Sequence, residues 1–273
     1  MEKGRSRTGL VVNSGVVNLY REATFRSEVV SQALLGEIPE ILDQQGKWFL
    51  VRQWDGYEGW MYYFYLFKNP QYLAQGGLTR VSALTAPIRE KPTASASPIR
   101  DAVFGTELPV LSRKGSWIEV SLPDGLSGWL KDEPQKKPSG TVREQLVQVA
   151  RRFLGVPYMW GGKTPNGFDC SGFVQTCFKA MDVDLPRDAH LQYRFQDLPE
   201  VAIKDAQPGD LFFFSEKDQR ITHVTISLGG GEFIHSSGWV RIESLEKDDP
   251  RYNHLLRSIF AGGKDVTGLL NAN

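Results

Sequence analysis

The chain has 273 residues, which at roughly 150 residues per domain means one large domain or two to three small ones. Apolar types make up 41% and charged types 23%, an ordinary globular composition that excludes disordered and collagen-like classes. Lys plus Arg and Asp plus Glu both number 32, so no global field argues for nucleic acid as a partner.

The opening residues, MEKGRSRTGLVVNSG, hold no apolar run of signal-peptide length. A cytoplasmic location is therefore expected, or a secreted or wall-associated one if a leader precedes this sequence. The most apolar stretch, Trp60 to Phe67, is too short to span a bilayer and reads as an aromatic strand. No membrane span is expected.

The first half repeats itself. GKWFLVRQWDGYEGW from Gly46 aligns without a gap to GSWIEVSLPDGLSGW from Gly115, with seven identities in fifteen positions. The same offset carries Gly36 onto Gly105 and Leu42 onto Leu111. Each copy, about 65 residues long, shows short alternating runs cut by DG turns, the pattern of a small antiparallel barrel rather than a solenoid turn. Lys131 to Gly140 is polar and proline-containing and reads as a linker. Thr141 to Leu154 then shows helical spacing, with Thr141 and Glu144 as a capping box and Gly155 and Pro157 as a stop. A new α+β unit begins there, giving domains at 1–74, 75–136 and 137–273.

Two cysteines are too few for a disulfide framework. Cys170, in Phe-Asp-Cys-Ser-Gly, precedes a helical run, so it sits at a helix N-terminus where the dipole is expected to lower its pKa. Cys177 lies two turns on, flanked by Val174 and Phe178, and reads as a small core residue. That spacing forbids a disulfide within the helix and is not metal-binding CxxC spacing.

A nucleophilic cysteine needs a base. His223 and His235 flank a hairpin signal around three glycines, with shared parity and therefore one common face, where Thr225 and Ser227 accompany them. Val224, Ile226 and Leu228 take the opposite face. The arrangement fits one imidazole as base and the other as its orienter. A metal site is disfavoured because no third ligand stands at suitable spacing. His254 reads as a surface or structural histidine, and His190 stays open.

Taken in order, Tyr158-Met-Trp-Gly-Gly, Phe168-Asp-Cys-Ser-Gly-Phe, Pro208-Gly-Asp-Leu, His223-Val and Ile234-His-Ser resemble the NlpC/P60 peptidoglycan peptidases. The first half is similar to tandem bacterial SH3 barrels. The resemblance implies a multidomain chain: two all-β SH3-like barrels followed by an α+β, papain-like NlpC/P60 domain with its nucleophile helix packed on an antiparallel sheet. It implies a γ-D-glutamyl-L-diamino acid endopeptidase of the muropeptide-recycling type, acting through a Cys170 thioester on peptides that begin with a free L-Ala. Cys170 would be nucleophile, His223 base and later acid, His235 the residue holding the His223 ring, and Tyr158 a donor to the scissile carbonyl. Such donors typically contribute about 3 kcal/mol.

The same resemblance assigns substrate contacts to Glu22 and Tyr57 in the first barrel and to Asp169, Ser171 and Asp188 in the cysteine domain. The repeat offset puts Lys91 opposite Glu22 and Leu126 opposite Tyr57. At these two positions the first copy thus holds an acid and a phenol where the second holds neither, and an acid there suits an ammonium. Relatives often have Ser where Ala189 follows the PRD acid, which weakens the Asp188 route to the D-Glu carboxylate. No cofactor, metal or nucleic acid is expected, and the partners are peptidoglycan-derived peptides met by a monomer. The rival readings are a peptidoglycan-binding or scaffold protein with an inactive cysteine domain, and an amidase or acyltransferase of similar fold.

Overall fold

Alternating apolar and polar residues over five or six positions, cut by tight turns, suit half-buried antiparallel strands. The computed structural model builds such strands in both repeats. It describes residues 9–72, 77–132, 140–216 and 220–271. The expected boundaries at 74/75 and 136/137, and most of the expected linker, lie outside the described residues.

The first repeat contains β1 (Leu10–Val12), β2 (Val16–Tyr20), β3 (Val29–Leu34), β4 (Glu40–Gln45), β5 (Trp48–Arg52), β6 (Glu58–Tyr62) and β7 (Leu66–Lys68). Five of these form a sheet in the order β3-β2-β6-β5-β4, and β1 pairs with β7. The second repeat contains β8 (Leu78–Arg80), β9 (Thr85–Arg89), β10 (Pro98–Val103), β11 (Glu107–Lys114), β12 (Trp117–Ser121) and β13 (Ser127–Lys131), ordered β10-β9-β13-β12-β11-β8. Equivalent residues pair: Tyr20 with Trp60 in the first copy and Arg89 with Trp129 in the second.

Packing explains one shared glycine. A Cβ at Gly59 would come within 2.9 Å of Leu19 Cβ and 3.2 Å of Val30, and one at Gly128 within 2.5 Å of Ile88 and 2.8 Å of Ile99. Leu19 and Ile88, like Val30 and Ile99, are themselves equivalent in the repeat. The glycine lets β6 or β13 lie directly on the facing side chains.

The barrels keep separate cores, around Leu19, Val51 and Met61 in one and Ile88, Val120 and Leu130 in the other. They nonetheless form one compact unit, Met1–Gln135. Leu35 of the first copy packs in the second core. Fully buried Tyr72 donates its hydroxyl to Ser121 O at 3.0 Å, and Asn69 Nδ2 donates to Pro123 O at 3.0 Å. The aromatic run Trp60–Phe67 is not one strand as expected. It breaks at Tyr63–Tyr65 into a single 3₁₀ turn, which frees the chain to leave β6 and pair β7 with β1.

The second compact unit, Lys136–Asn273, opens with α1 (Val142–Arg151), and both halves of its capping box form between Thr141 and Glu144. The helix stops three residues before the expected Leu154 because i→i−3 bonds from Arg152 and Phe153 tighten its last turn. Phe153 still reaches the core, 5.0 Å from the Phe168 ring. Next come β14 (Lys163–Thr164), β15 (Gly167–Phe168), α2 (Cys170–Lys179), α3 (Ala189–Tyr193) and β16 (Glu200–Val201). Then follow β17 (Leu211–Phe214), β18 (His223–Gly229), β19 (Glu232–Ser237), β20 (Trp239–Ser244), α4 (His254–Ser258), β21 (Phe260–Lys264) and α5 (Thr267–Leu270). The antiparallel sheet runs β16-β21-β17-β18-β19-β20, and α2 packs on β18 and β19.

Val224, Ile226 and Ile234 are fully buried on one sheet face, while Phe212, Phe214 and Phe233 are buried on the other beneath Leu245 and Leu256. Thr225 and Ser227 share the histidines' face and are buried too. The polar side of the hairpin therefore lies inside the protein.

Candidate active site

Asp169 organises the start of α2. As N-cap it has extended backbone angles, and its Oδ1 accepts from Gly172 N at 2.7 Å. Its Oδ2 accepts from Gly161 N at 3.0 Å, tying the Tyr-Met-Trp-Gly-Gly loop to the helix. A Cβ at Gly172 would stand 2.1 Å from Gly162 O, so the loop closes over the helix only because a glycine is there.

Arg187, which the sequence reading passed over in favour of its neighbour Asp188, completes this corner. Its side chain is 1% exposed. Nη1 donates to Asp169 Oδ1 at 3.0 Å and to Ser171 Oγ at 3.1 Å, and Nη2 pairs with Asp169 Oδ2. Both carboxylate oxygens of Asp169 are thus engaged within the protein. Asp188 sits at the N-cap position of α3, but its side chain makes no capping bond. His190 lies within α3 and His254 is exposed at the start of α4.

Cys170 is the first residue of α2 and is 9% exposed. Its Sγ lies 4.0 Å from Thr222 O, and the backbone amides of Val224 and Ser171 favour its thiolate. The thiol therefore abuts the two residues that bracket His223. Tyr158 is half-buried, with its amide on Gly238 O at 2.8 Å. Burial, followed by the nearby Cys170 and Asp169, raises its phenol above the ordinary range, so the hydroxyl keeps its proton as a donor.

The thiol does not behave as the dipole argument expects. Burial, with the Asp169 carboxylate adding to it, pushes Cys170 up to about 12. Burial is the main cause, and the cap adds to it: Asp169 takes the Gly172 amide and places a carboxylate near the sulfur, opposing the helix field. Cys177 is fully buried and its thiol is also raised.

The hairpin register pairs Ile226 with Ile234, which sets His223 and His235 diagonally on one face. His223 Nε2 and His235 Nδ1 are 2.8 Å apart, with ring planes at 82°. His235 is fully buried. Its Nε2 lies 3.0 Å from Glu243 Oε2, a close charge contact off the axis of a straight hydrogen bond. Glu243 is fixed on both oxygens, by Asn253 Nδ2 at 2.8 Å and by Arg241 Nε at 3.0 Å.

Burial, reinforced by His235, pushes His223 down to about 3. His235 is also lowered, by burial against the opposing pull of Glu243. Burial alone would raise Glu243, but its contacts with His235 and Asn253 hold it at about 2. Burial thus favours the uncharged forms of the thiol and of both imidazoles, while the contacts of Glu243 favour its carboxylate. Among the described residues, no group of three or more His, Cys, Asp or Glu side chains is placed to hold a metal ion.

In the first barrel, the Tyr20–Trp60 pairing directs the loop carrying Glu22 and the turn carrying Tyr57 to the same end. Glu22 is exposed, and Tyr57 is half-buried against the barrel core. Lys91 and exposed Leu126 occupy the equivalent end of the second barrel.

A thiol at a helix N-terminus, set against a strand that carries an imidazole, is the layout of papain-like cysteine peptidases, and here a second imidazole stands where papain-like enzymes can have Asn. Residues 155–257 match the NlpC/P60 family, and residues 15–66 and 84–133 each match the bacterial SH3 domain. The chain is 30% identical over 248 residues to a protein of Bacillus cereus (strain ATCC 10987 / NRS 248) named gamma-D-glutamyl-L-lysine dipeptidyl-peptidase, covering 84% of this chain and 74% of that one. It is 27% identical to dipeptidyl-peptidase 6 of Lysinibacillus sphaericus, covering 89% and 93%. The crystal structure of an NlpC/P60 family protein from Bacillus cereus ATCC 10987 superposes with a TM-score of 0.77 at 25% identity, covering 94% of this chain and 98% of that one. The chain belongs to the NlpC/P60 family and pairs its cysteine peptidase domain with two bacterial SH3 domains.

Proposed function

We propose that the protein hydrolyses the γ-D-Glu–L-diamino acid bond of cell-wall peptides that carry a free N-terminal L-Ala. The observation that carries this reading is the 2.8 Å His223–His235 contact at the strand that meets Cys170, in a chain similar along most of its length to a gamma-D-glutamyl-L-lysine dipeptidyl-peptidase.

In this reading His223 accepts the Cys170 proton as the sulfur attacks the γ-carbonyl of D-Glu. Burial favours the uncharged thiol and imidazole, which supports a proton transfer that accompanies attack. The Tyr158 hydroxyl and the Cys170 amide donate to the developing oxyanion. The protonated His223 then gives its proton to the departing amine. Water, deprotonated by the same ring, releases the dipeptide and restores the thiol.

Ser171 and the uncapped Asp188 carboxylate line the acyl side, while Asp169, engaged by Arg187, gives that wall its shape. Glu22 and Tyr57 bind the α-ammonium of L-Ala, a role supported by the acid and phenol that the first barrel holds where the second has Lys91 and Leu126.

The test is mass spectrometry of digests of L-Ala-γ-D-Glu-L-Lys and its diaminopimelate counterpart, each with free and acetylated N-termini. Release of L-Ala-γ-D-Glu from the free peptides alone is expected, and Cys170→Ala should abolish it. Equal cleavage of blocked peptides would remove the amine-recognition role, and activity in Cys170→Ala would remove the nucleophile.

A further inference from the structure

The carboxylate behind the histidine pair belongs to no motif of the sequence reading. Glu243 lies on β20, two residues beyond Arg241, which pairs with His235 across β19–β20. Three groups face it from three elements: His235 from β19, Arg241 from its own strand, and Asn253 from the segment before α4.

Protons along this row can be counted. Glu243, ionised and bonded to Arg241 and Asn253, can only accept. The nitrogen against it, His235 Nε2, therefore carries a proton, which leaves His235 Nδ1 as a lone pair. That lone pair accepts from His223 Nε2–H at 2.8 Å, and His223 Nδ1 is left unprotonated. The reverse order is equally complete in hydrogen bonds but useless to a base: with the proton on His235 Nδ1, His223 Nε2 accepts and His223 Nδ1 carries the proton. Nothing in the two rings chooses between these states, because each imidazole has one donor and one acceptor. The charge at the end of the row does.

We propose that Glu243 is a positioning residue that sets the tautomer of both histidines and keeps His223 Nδ1 open to receive a proton. This deepens the peptidase reading above and rests on it for the identity of the proton donor, Cys170.

The test uses the full chain labelled with ¹⁵N-histidine. In the wild type, both rings are expected to show the Nε2–H tautomer at pH 7. In Glu243→Gln the amide NH₂ can donate to His235 Nε2, so a shift of both rings toward Nδ1–H is expected. The kcat for dipeptide release should fall on the order of 100-fold, with KM within about twofold because no substrate contact is lost. Glu243→Asp keeps the charge and should keep the Nε2–H pattern, with more activity than the Gln variant. Unchanged tautomers and kcat in Glu243→Gln, or a loss confined to KM, would overturn the proposal. If the Gln variant does not fold, a reversed tautomer pattern in Glu243→Asp overturns it instead. The ring signals need no substrate, so a chain that fails to cleave peptides yet shows these tautomer shifts would defeat the peptidase reading while leaving the role of Glu243 standing.

Discussion

Arg187 and Asp169 meet as a two-pronged ion pair inside the cysteine domain, the guanidinium 1% and the carboxylate 12% exposed. Nη1 also donates to Ser171 Oγ, so one cation organises the residues on either side of Cys170. Arg187→Leu would leave the Asp169 charge buried beside the thiol, and a loss of roughly 3–5 kcal/mol in urea unfolding is expected. Arg187→Lys should recover only a minor part, because an ammonium cannot span both oxygens. A Leu variant within about 1 kcal/mol of wild type would show that the pair is not structural.

With the tautomers proposed above, His235 accepts the Nε2 proton of His223 across their 2.8 Å contact, and a side chain with no acceptor there leaves the base free to rotate. His235→Leu should lower kcat on the order of 10³-fold, whereas His235→Asn, whose amide oxygen can accept the same proton, should retain considerably more. Steady-state kinetics on a free-amine tripeptide decide this. Equal loss in both variants would mean that ring volume, and not the hydrogen bond, is what matters.

The thiol raised to about 12 predicts how Cys170 reacts with iodoacetamide in the free enzyme. The rate should climb by about tenfold per pH unit from 7 to 10 without levelling. A plateau reached below pH 7 would reveal a stable thiolate–imidazolium pair. Cys170→Ser provides the background for any slow labelling of Cys177.

Acid should destabilise the cysteine domain in two overlapping windows. His223 falls from 6.5 to about 3 on folding, through burial first and His235 second. Between those values the unfolded chain binds a proton that the folded chain refuses, so stability declines as pH drops from 6.5 toward 3 and is unaffected above. Glu243 falls from 4.5 to about 2. Its contribution is present above 4.5 and is lost as the pH descends toward 2. Urea midpoints of the cysteine domain measured from pH 7 to 3 should decline, and His223→Gln should flatten the upper part of that curve. An identical decline in the variant would assign the acid sensitivity to other groups.

The parts of this molecule written in local order were legible in its sequence. The capping box at Thr141 and Glu144, the helix opening at Cys170 and the parity of the two histidines each depend on residues within one or two turns or one hairpin. Arg187 and Glu243 escaped because their partners come from elsewhere: Arg187 reaches back to the cap of α2, and Glu243 stands on the strand after the hairpin. The alternation of Trp239, Arg241 and Glu243 would have located the acid had the pairing been extended by one more strand. The raised thiol has a related origin: a dipole argument counts the helix end, but neither the burial of Cys170 nor the carboxylate that caps the helix. The break in Trp60–Phe67 reflects pairing of β1 with β7, a contact that no local aromatic pattern encodes.

The glycine that seats β6 on Leu19 and β13 on Ile88 gives the two barrels a shared strand contact, while Glu22 and Tyr57 stand in the first where Lys91 and Leu126 stand in the second. Such a pair is open to transplantation. Exchanging Glu22 with Lys91 and Tyr57 with Leu126 leaves the fully buried core residues and both shared glycines in place, changes only the half-buried Tyr57 at the edge of the first core, and moves an acid and a phenol from one barrel to the other. A swapped chain that folds like its parent but no longer distinguishes free from blocked peptides would make the duplication itself the control for what the first copy acquired.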